Sequence, residues 1–242
     1  MKTSQILLPL ALATPALSQG MVGWGWNIDG IPEDGLTDIS FPMSIERSPH
    51  ETRYYFANQF AFINGNGVGY TGLQPKEDIN GSSTIRAIFS NFCDGATSDH
   101  ENCHQGADGG AGVTCRLDTN APFDTLYEMS VQNTGGTTWT GTLVDRINGN
   151  STEVGRWTLP AGTGGIINSA WNLGFIEDYI GGVECNERHP AKVMVGDPTT
   201  ASLLNYTSEI GDPYEYGPCP KKANFAEKRT ASDDGWDLSI GW

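Results

Sequence analysis

The chain has 242 residues, including 31 Gly and 13 Pro, and carries 14 Lys and Arg against 29 Asp and Glu for a formal charge of -15. Glycine at almost twice its usual share of roughly 7%, beside a 38% apolar content, describes a folded, turn-rich protein with enough hydrophobic side chains for a core. So acidic a chain repels polyanions, which excludes nucleic acid and anionic membrane surfaces as partners.

In chain order, Lys2 precedes the apolar run from Ile6 to Ala13 and the small-residue site Ala16-Leu17-Ser18. One charge, a short apolar run and a small-residue end predict a secretory signal peptide over residues 1–18, cleaved after Ser18. Residues 19–242 are then expected as one extracellular domain with no membrane insertion, and as a monomer. Near its start, Gly23-Trp24-Gly25-Trp26 offers either an aromatic stacking site or a strand closing a sheet edge.

Periodicity near two follows. From Arg53 to Phe62, Tyr54, Phe56, Phe60 and Phe62 share one face while Arg53, Tyr55 and Gln59 share the other. Tyr70, Gly72 and Gln74 share a face of the next segment, and in the one after it Ile85, Ala87 and Phe89 oppose Arg86, Ile88 and Ser90. Further strands are predicted over 39–46, 125–133, 137–146, 152–159, 174–180, 192–195 and 236–240. Turn signals such as Asn64-Gly65-Asn66-Gly67 and Gly135-Gly136 separate them, and the polar stretch from Lys221 to Asp234 reads as a loop. Many short strands without a helical stripe predict an all-β fold: a two-sheet antiparallel sandwich, jelly-roll or concanavalin/lectin-like.

Asn80, Asn150 and Asn205 begin N-glycosylation sequons, each beside turn residues. Five cysteines in an oxidising compartment should mostly pair, and no zinc spacing is present. Cys103 with Cys115 and Cys185 with Cys219 is the preferred pairing, leaving Cys93 as a buried thiol; Cys93 with Cys115 is the alternative.

Three constellations offer chemistry. Arg53, Tyr55, Gln59, Tyr70, Gln74, Arg86 and Ser90 would furnish one sheet face with aromatic rings and planar polar donors, the combination that grips sugars. The loop from Asp94 to Gly112 carries His100, His104 and several carboxylates, with Asp94, Asp99 and Asp108 as candidate calcium ligands. Glu177 shares a strand face with Phe175 and Tyr179, and a carboxyl between aromatics is a candidate general acid.

Taken together, Tyr54-Tyr55-Phe56, Tyr70-Thr71-Gly72-Leu73-Gln74-Pro75, Ile88-Phe89-Ser90-Asn91-Phe92, the Gly106 to Gly112 turn and Gly174-Phe175-Ile176-Glu177-Asp178-Tyr179 resemble the secreted DUF3472 family, in its fungal-type branch, over residues 53–179. The resemblance implies a concanavalin-like or jelly-roll sandwich of the kind found beside carbohydrate-acting modules. Cys93, His100 and His104 depart from that pattern.

The residues point first to recognition of extracellular or cell-wall polysaccharide through Arg53, Tyr55, Gln59, Tyr70, Gln74 and Arg86, with no obligatory cofactor. A polysaccharide lyase would use Gln74 or Arg86 against a uronate and Tyr70 or His100 as proton carriers. A glycosidase would pair Glu177 with Asp94 or Asp108. A non-catalytic host-interaction or structural protein is a third class. The net acidity favours a neutral glycan over an anionic one.

Overall fold

The computed structural model describes residues 19–241. In chain order the strands are β1 (Gln19–Ile28), β2 (Asp38–Ser44), β3 (Tyr54–Phe62), β4 (Val68–Ile79), β5 (Ser82–Asn91) and β6 (Cys103–Gln105). They continue with β7 (Val113–Asn120), β8 (Tyr127–Gly135), β9 (Thr138–Asp145), β10 (Ser151–Thr158), β11 (Ile166–Ile167) and β12 (Leu173–Asp178). The last are β13 (Ala191–Gly196), β14 (Ser208–Ile210), β15 (Tyr214–Glu215), β16 (Ala226–Arg229) and β17 (Gly235–Ile240). A single 3-10 turn, Cys185–Glu187, is the one helical segment among the described residues.

The larger sheet runs β14-β1-β12-β3-β4-β5-β7-β6, with β11 added on β3 and β15 on β1; the smaller runs β10-β9-β8-β2-β13-β17-β16. Neighbouring strands are antiparallel, and the fold is an all-β sandwich. Alternation does the sorting. Tyr54, Phe56 and Phe60 are fully buried, as are Ile85, Ala87 and Phe89, so the even positions of β3 and the odd positions of β5 face the second sheet.

Aromatic rings bridge the two layers. Phe89 of β5 stacks on Trp157 of β10 with centroids 4.5 Å apart, Phe62 meets Trp139 at 5.2 Å, and Trp26 meets Phe41 edge-on at 5.3 Å. Each such ring contributes roughly 1.5–3 kcal/mol through the area it removes from water. Trp24 and Trp26 belong to this core and are 0% and 5% exposed, which corrects the stacking-site expectation. The strand that carries them is an inner one between β12 and β14, rather than an edge.

Cys103–Cys115 and Cys185–Cys219 are the two disulfides, and Cys93 is a buried free thiol. The alternative Cys93–Cys115 bond is therefore absent. Burial pushes the Cys93 thiol up to about 11, so it is protonated at neutral pH and unsuited to attack. Two disulfides fit an oxidising compartment, and among the described residues no helix is long and apolar enough to cross a membrane. The predicted signal segment lies outside the described residues. Asn80, Asn150 and Asn205 are all exposed.

Two strands form in stretches that the sequence marks as loops. Ala226–Arg229, within the stretch read as a loop, forms β16 against β17, where Arg229 lies 4.3 Å over the Trp236 ring. The Cys103–Gln105 strand forms inside the predicted long loop, held to β7 by the disulfide.

Gly155 on β10 faces that disulfide: a Cβ there would stand 2.5 Å from the Cys103 sulfur and 2.6 Å from Cys115 Cβ. Gly155→Ala is expected to destabilise the protein by about 1–3 kcal/mol in denaturant unfolding. The loss should shrink when Cys103→Ala removes the sulfur and Cys115→Gly removes the Cβ; an unchanged loss contradicts the contact.

Candidate functional site

The outer face of the larger sheet holds the site. Register places Glu177 of β12 opposite Tyr55 of β3, and Gln74 of β4 opposite Arg86 of β5, which in turn faces Asp118 of β7. The β3–β4 ladder pairs Phe56 with Leu73, so Tyr55 and Gln74 fall side by side in its next position. One transverse row therefore reads Glu177, Tyr55, Gln74, Arg86, Asp118. Tyr70, Ile88, Asp108, Thr114, Arg116 and Tyr179 complete a cleft of about 150 Å³ around it.

Rings wall the cleft. Tyr55 meets Phe175 at 5.7 Å and Tyr70 at 5.8 Å, both edge-on, and Tyr70 meets Phe92 at 5.0 Å. With Ala57 and Ile88 these residues make a second small apolar cluster outside the main core. Tyr55, Tyr70 and Gln74 are only 3%, 6% and 8% exposed, so they form a recessed floor rather than the open platform expected from the sequence.

Burial sets the protonation of the phenols. Desolvation first, then neighbouring Tyr70, Glu177 and Asp108, hold the Tyr55 hydroxyl well above its ordinary range. Tyr70 is raised by burial and then by Asp108, to which it donates at 3.1 Å. Burial pushes Tyr179 up to about 12. Tyr216, raised by burial and then by Glu177, lies over Gly20, where a Cβ would strike its ring. These hydroxyls are neutral donors at physiological pH. Tyr55 Oη and Tyr179 Oη are buried with no hydrogen-bond partner within the protein, so each has a donor to give.

Two charges at the end of the row pair with each other. Arg86 donates to Asp118 through Nε and Nη2, at 2.6 and 2.7 Å, and that pairing holds the Asp118 carboxyl below its ordinary range. Asp108 sits at the tip of the Gly106 to Gly112 turn in a left-handed conformation, φ 48°, and the turn closes through Gly106 N to Gly112 O at 2.8 Å. Thus the glycine turn delivers a carboxylate to Tyr70.

Of the predicted residues, Tyr55, Tyr70, Gln74, Arg86, Asp108 and Glu177 come together. Others do not. Arg53 is a structural partner of buried Asp178 at 2.7 Å, and Gln59 donates to the Trp171 carbonyl at 2.8 Å farther along the sheet. Ser90 lies opposite Tyr70 but beneath the cleft surface, fully buried and donating to Thr114 Oγ1. His100 lies against β10, 3.3 Å from Glu153, outside the cleft. Asp99 meets Arg156 at 3.2 Å and Asp94 is exposed elsewhere, so Asp94, Asp99 and Asp108 do not converge. No group of three or more His, Cys, Asp or Glu among the described residues could hold a metal ion.

Thr114 and Arg116 escaped the sequence reading because β7 follows a glycine-rich turn and carries a disulfide cysteine, although Val113, Cys115 and Leu117 do alternate. Tyr216 carried no local signal; its place depends on β15 reaching β1 from about 190 residues away. A larger groove of about 480 Å³ lies on the outside of the smaller sheet, lined by Glu46, Arg47, Lys192, Lys228 and Asp237 among others, and includes none of the predicted residues.

The sequence matches no protein-family model and no curated protein. Among solved structures the chain is similar to scytalido-glutamic peptidase with a transition state analog inhibitor, at 14% identity and TM-score 0.46, covering 93% of this chain and 100% of that one. It is also similar to the same peptidase with a peptide based transition state analog, at 11% and 0.45, with 93% and 100% covered. A third is SCP-B, a member of the Eqolisin family of peptidases, with the tripeptide Ala-Ile-His, at 11% and 0.39, with 93% and 97% covered. The fold stands on the strand pairing and core described above.

Raised phenol pKa values make the folded state the more protonated one, so their stabilisation is complete below the ordinary phenol range near 10 and fades as pH rises through the folded values. At pH 11 the native protein should show much less phenolate absorbance than the unfolded chain; equal absorbance contradicts the recessed floor.

Proposed function

We propose that the cleft is a hydrolytic active site in which Glu177 draws a proton from water and Gln74 and Tyr55 donate to the oxygen that gains charge, on the acyl carbon of a peptide-like substrate outside the cell. The observation that carries this reading is the row Glu177, Tyr55, Gln74 on three adjacent strands in one recess. Glu177 and Gln74 stand two strand spacings apart, about 9–10 Å between backbones, a gap that two long side chains close onto one small group.

Chemistry favours acyl transfer to water over the alternatives. A carbonyl under attack needs one base and preorganised donors aimed at the oxyanion, and the recess sets Glu177 beside the buried, neutral donors Tyr55 and Gln74, while its other carboxylate, Asp108, accepts from Tyr70. Uronate elimination would ask Tyr70 to act as a base and Arg86 to meet the substrate carboxylate. Burial keeps Tyr70 protonated, and Arg86 is bound to Asp118. The recess is smaller than the roughly 300–1,000 Å³ of a typical small-molecule pocket, which suits one group of a long substrate.

Neutral polysaccharide recognition or cleavage is the second reading. The ring wall of Tyr55, Tyr70, Phe92 and Phe175 supports it, since aromatic faces suit sugar C–H surfaces.

The test incubates the protein with denatured protein substrates and, separately, with neutral cell-wall polymers over a pH series, reading new peptide termini by mass spectrometry and new reducing ends by colorimetry. Peptide cleavage is expected, with Glu177→Gln lowering kcat by about 100- to 10,000-fold and Gln74→Ala by about 100- to 1,000-fold while thermal stability is retained. Absence of peptide cleavage overturns the peptide reading. Glycan binding or cleavage lost in Tyr70→Ala would establish the second.

A further inference from the structure

The first described residue is tied into a buried charge cluster that the proposed chemistry does not use. Asp178 and Arg188 have fully buried side chains and pair at 2.7 Å. Arg53 donates to the same Asp178 oxygen at 2.7 Å, while the backbone N–H groups of Ile180 and Gly181 donate to the other, at 3.1 and 2.8 Å. All the strong acceptor positions of this carboxylate are thereby engaged. The second terminal nitrogen of Arg188 donates to Oε1 of Gln19, whose backbone lies opposite Asp178 at the start of β1. Two guanidiniums therefore face one carboxylate.

Signal cleavage after Ser18 would add a third positive charge, because the new α-ammonium of Gln19 would emerge beside this cluster, where Asp178 has no acceptor left for it. A positive charge placed beside two guanidiniums that share one carboxylate is costly, and neutralising it removes that cost.

We propose that Gln19 is a modification site, closed to pyroglutamate in the mature protein and docked on Arg188 through its ring carbonyl. The α-amine nitrogen attacks Cδ of the Gln19 side chain, the N–Cδ bond forms, and the Cδ–Nε2 bond breaks. The amine proton leaves with Nε2 as ammonia, so no oxidant, reductant or co-substrate is needed. Oε1 stays on Cδ as the lactam oxygen, the atom Arg188 already holds. That donor polarises Cδ toward attack in the amide and keeps its partner in the product, while the ring removes the ammonium charge.

The proposal rests on release of the leader after Ser18, so one experiment must read both events. Mass spectrometry of the N-terminal peptide from the secreted protein should find a chain that starts at residue 19 and is lighter by one ammonia than free glutamine requires. A peptide starting at Gln19 with an intact amine overturns the cyclisation, and a chain starting elsewhere overturns the leader cut on which it rests. Docking has its own readout: pyroglutamyl aminopeptidase should remove the residue at least about tenfold more slowly from folded protein than from the isolated N-terminal peptide, as expected for a group shielded by native structure. Equal rates would overturn the docking on Arg188.

Discussion

Side-chain alternation on β12, β3, β4 and β5 is the constraint on which both the core and the site depend. Each strand places one set of residues between the sheets and the intervening set on the outer face, so Phe56 fixes Tyr55, Leu73 fixes Gln74, and Ile176 fixes Glu177. A slip of one residue would exchange these sets and put polar groups where Trp139 and Trp157 now pack. The aromatic core thus does more than hold the sheets together. It indexes the row of donors outside.

Around that row, burial and committed charges decide the chemistry. The tyrosines are kept neutral by desolvation, Arg86 and Asp118 satisfy each other, and Asp108 is brought to Tyr70 by a glycine turn that only left-handed backbone can close. The buried pairing of Asp178 with Arg53 and Arg188 fixes the end of β12 beside Glu177. The Glu177 carboxylate and the Tyr55 and Gln74 donors line the same recess.

Much of this was legible from local pattern. Period-two alternation of large aromatics marks the faces of β3, β4 and β5 directly, so Tyr55, Tyr70, Gln74 and Arg86 could be grouped before their strands were seen to pair. Glu177 could be noticed but not placed, because β12 joins β3 across more than a hundred residues. Arg53 and His100 misled for the same reason: their partners, Asp178 and Glu153, are remote in sequence. Charged Ala226–Arg229 hid a strand, since its stability comes from pairing with β17 and not from its own composition.

The central claim is that Glu177 and Gln74 act on one reacting group, and a double-mutant cycle on kcat tests it most directly. Residues that serve a single step lose their effect once the partner is gone, so Glu177→Gln with Gln74→Ala should be little slower than the worse single variant. Losses that multiply in full would contradict a shared site and separate the two residues into independent roles.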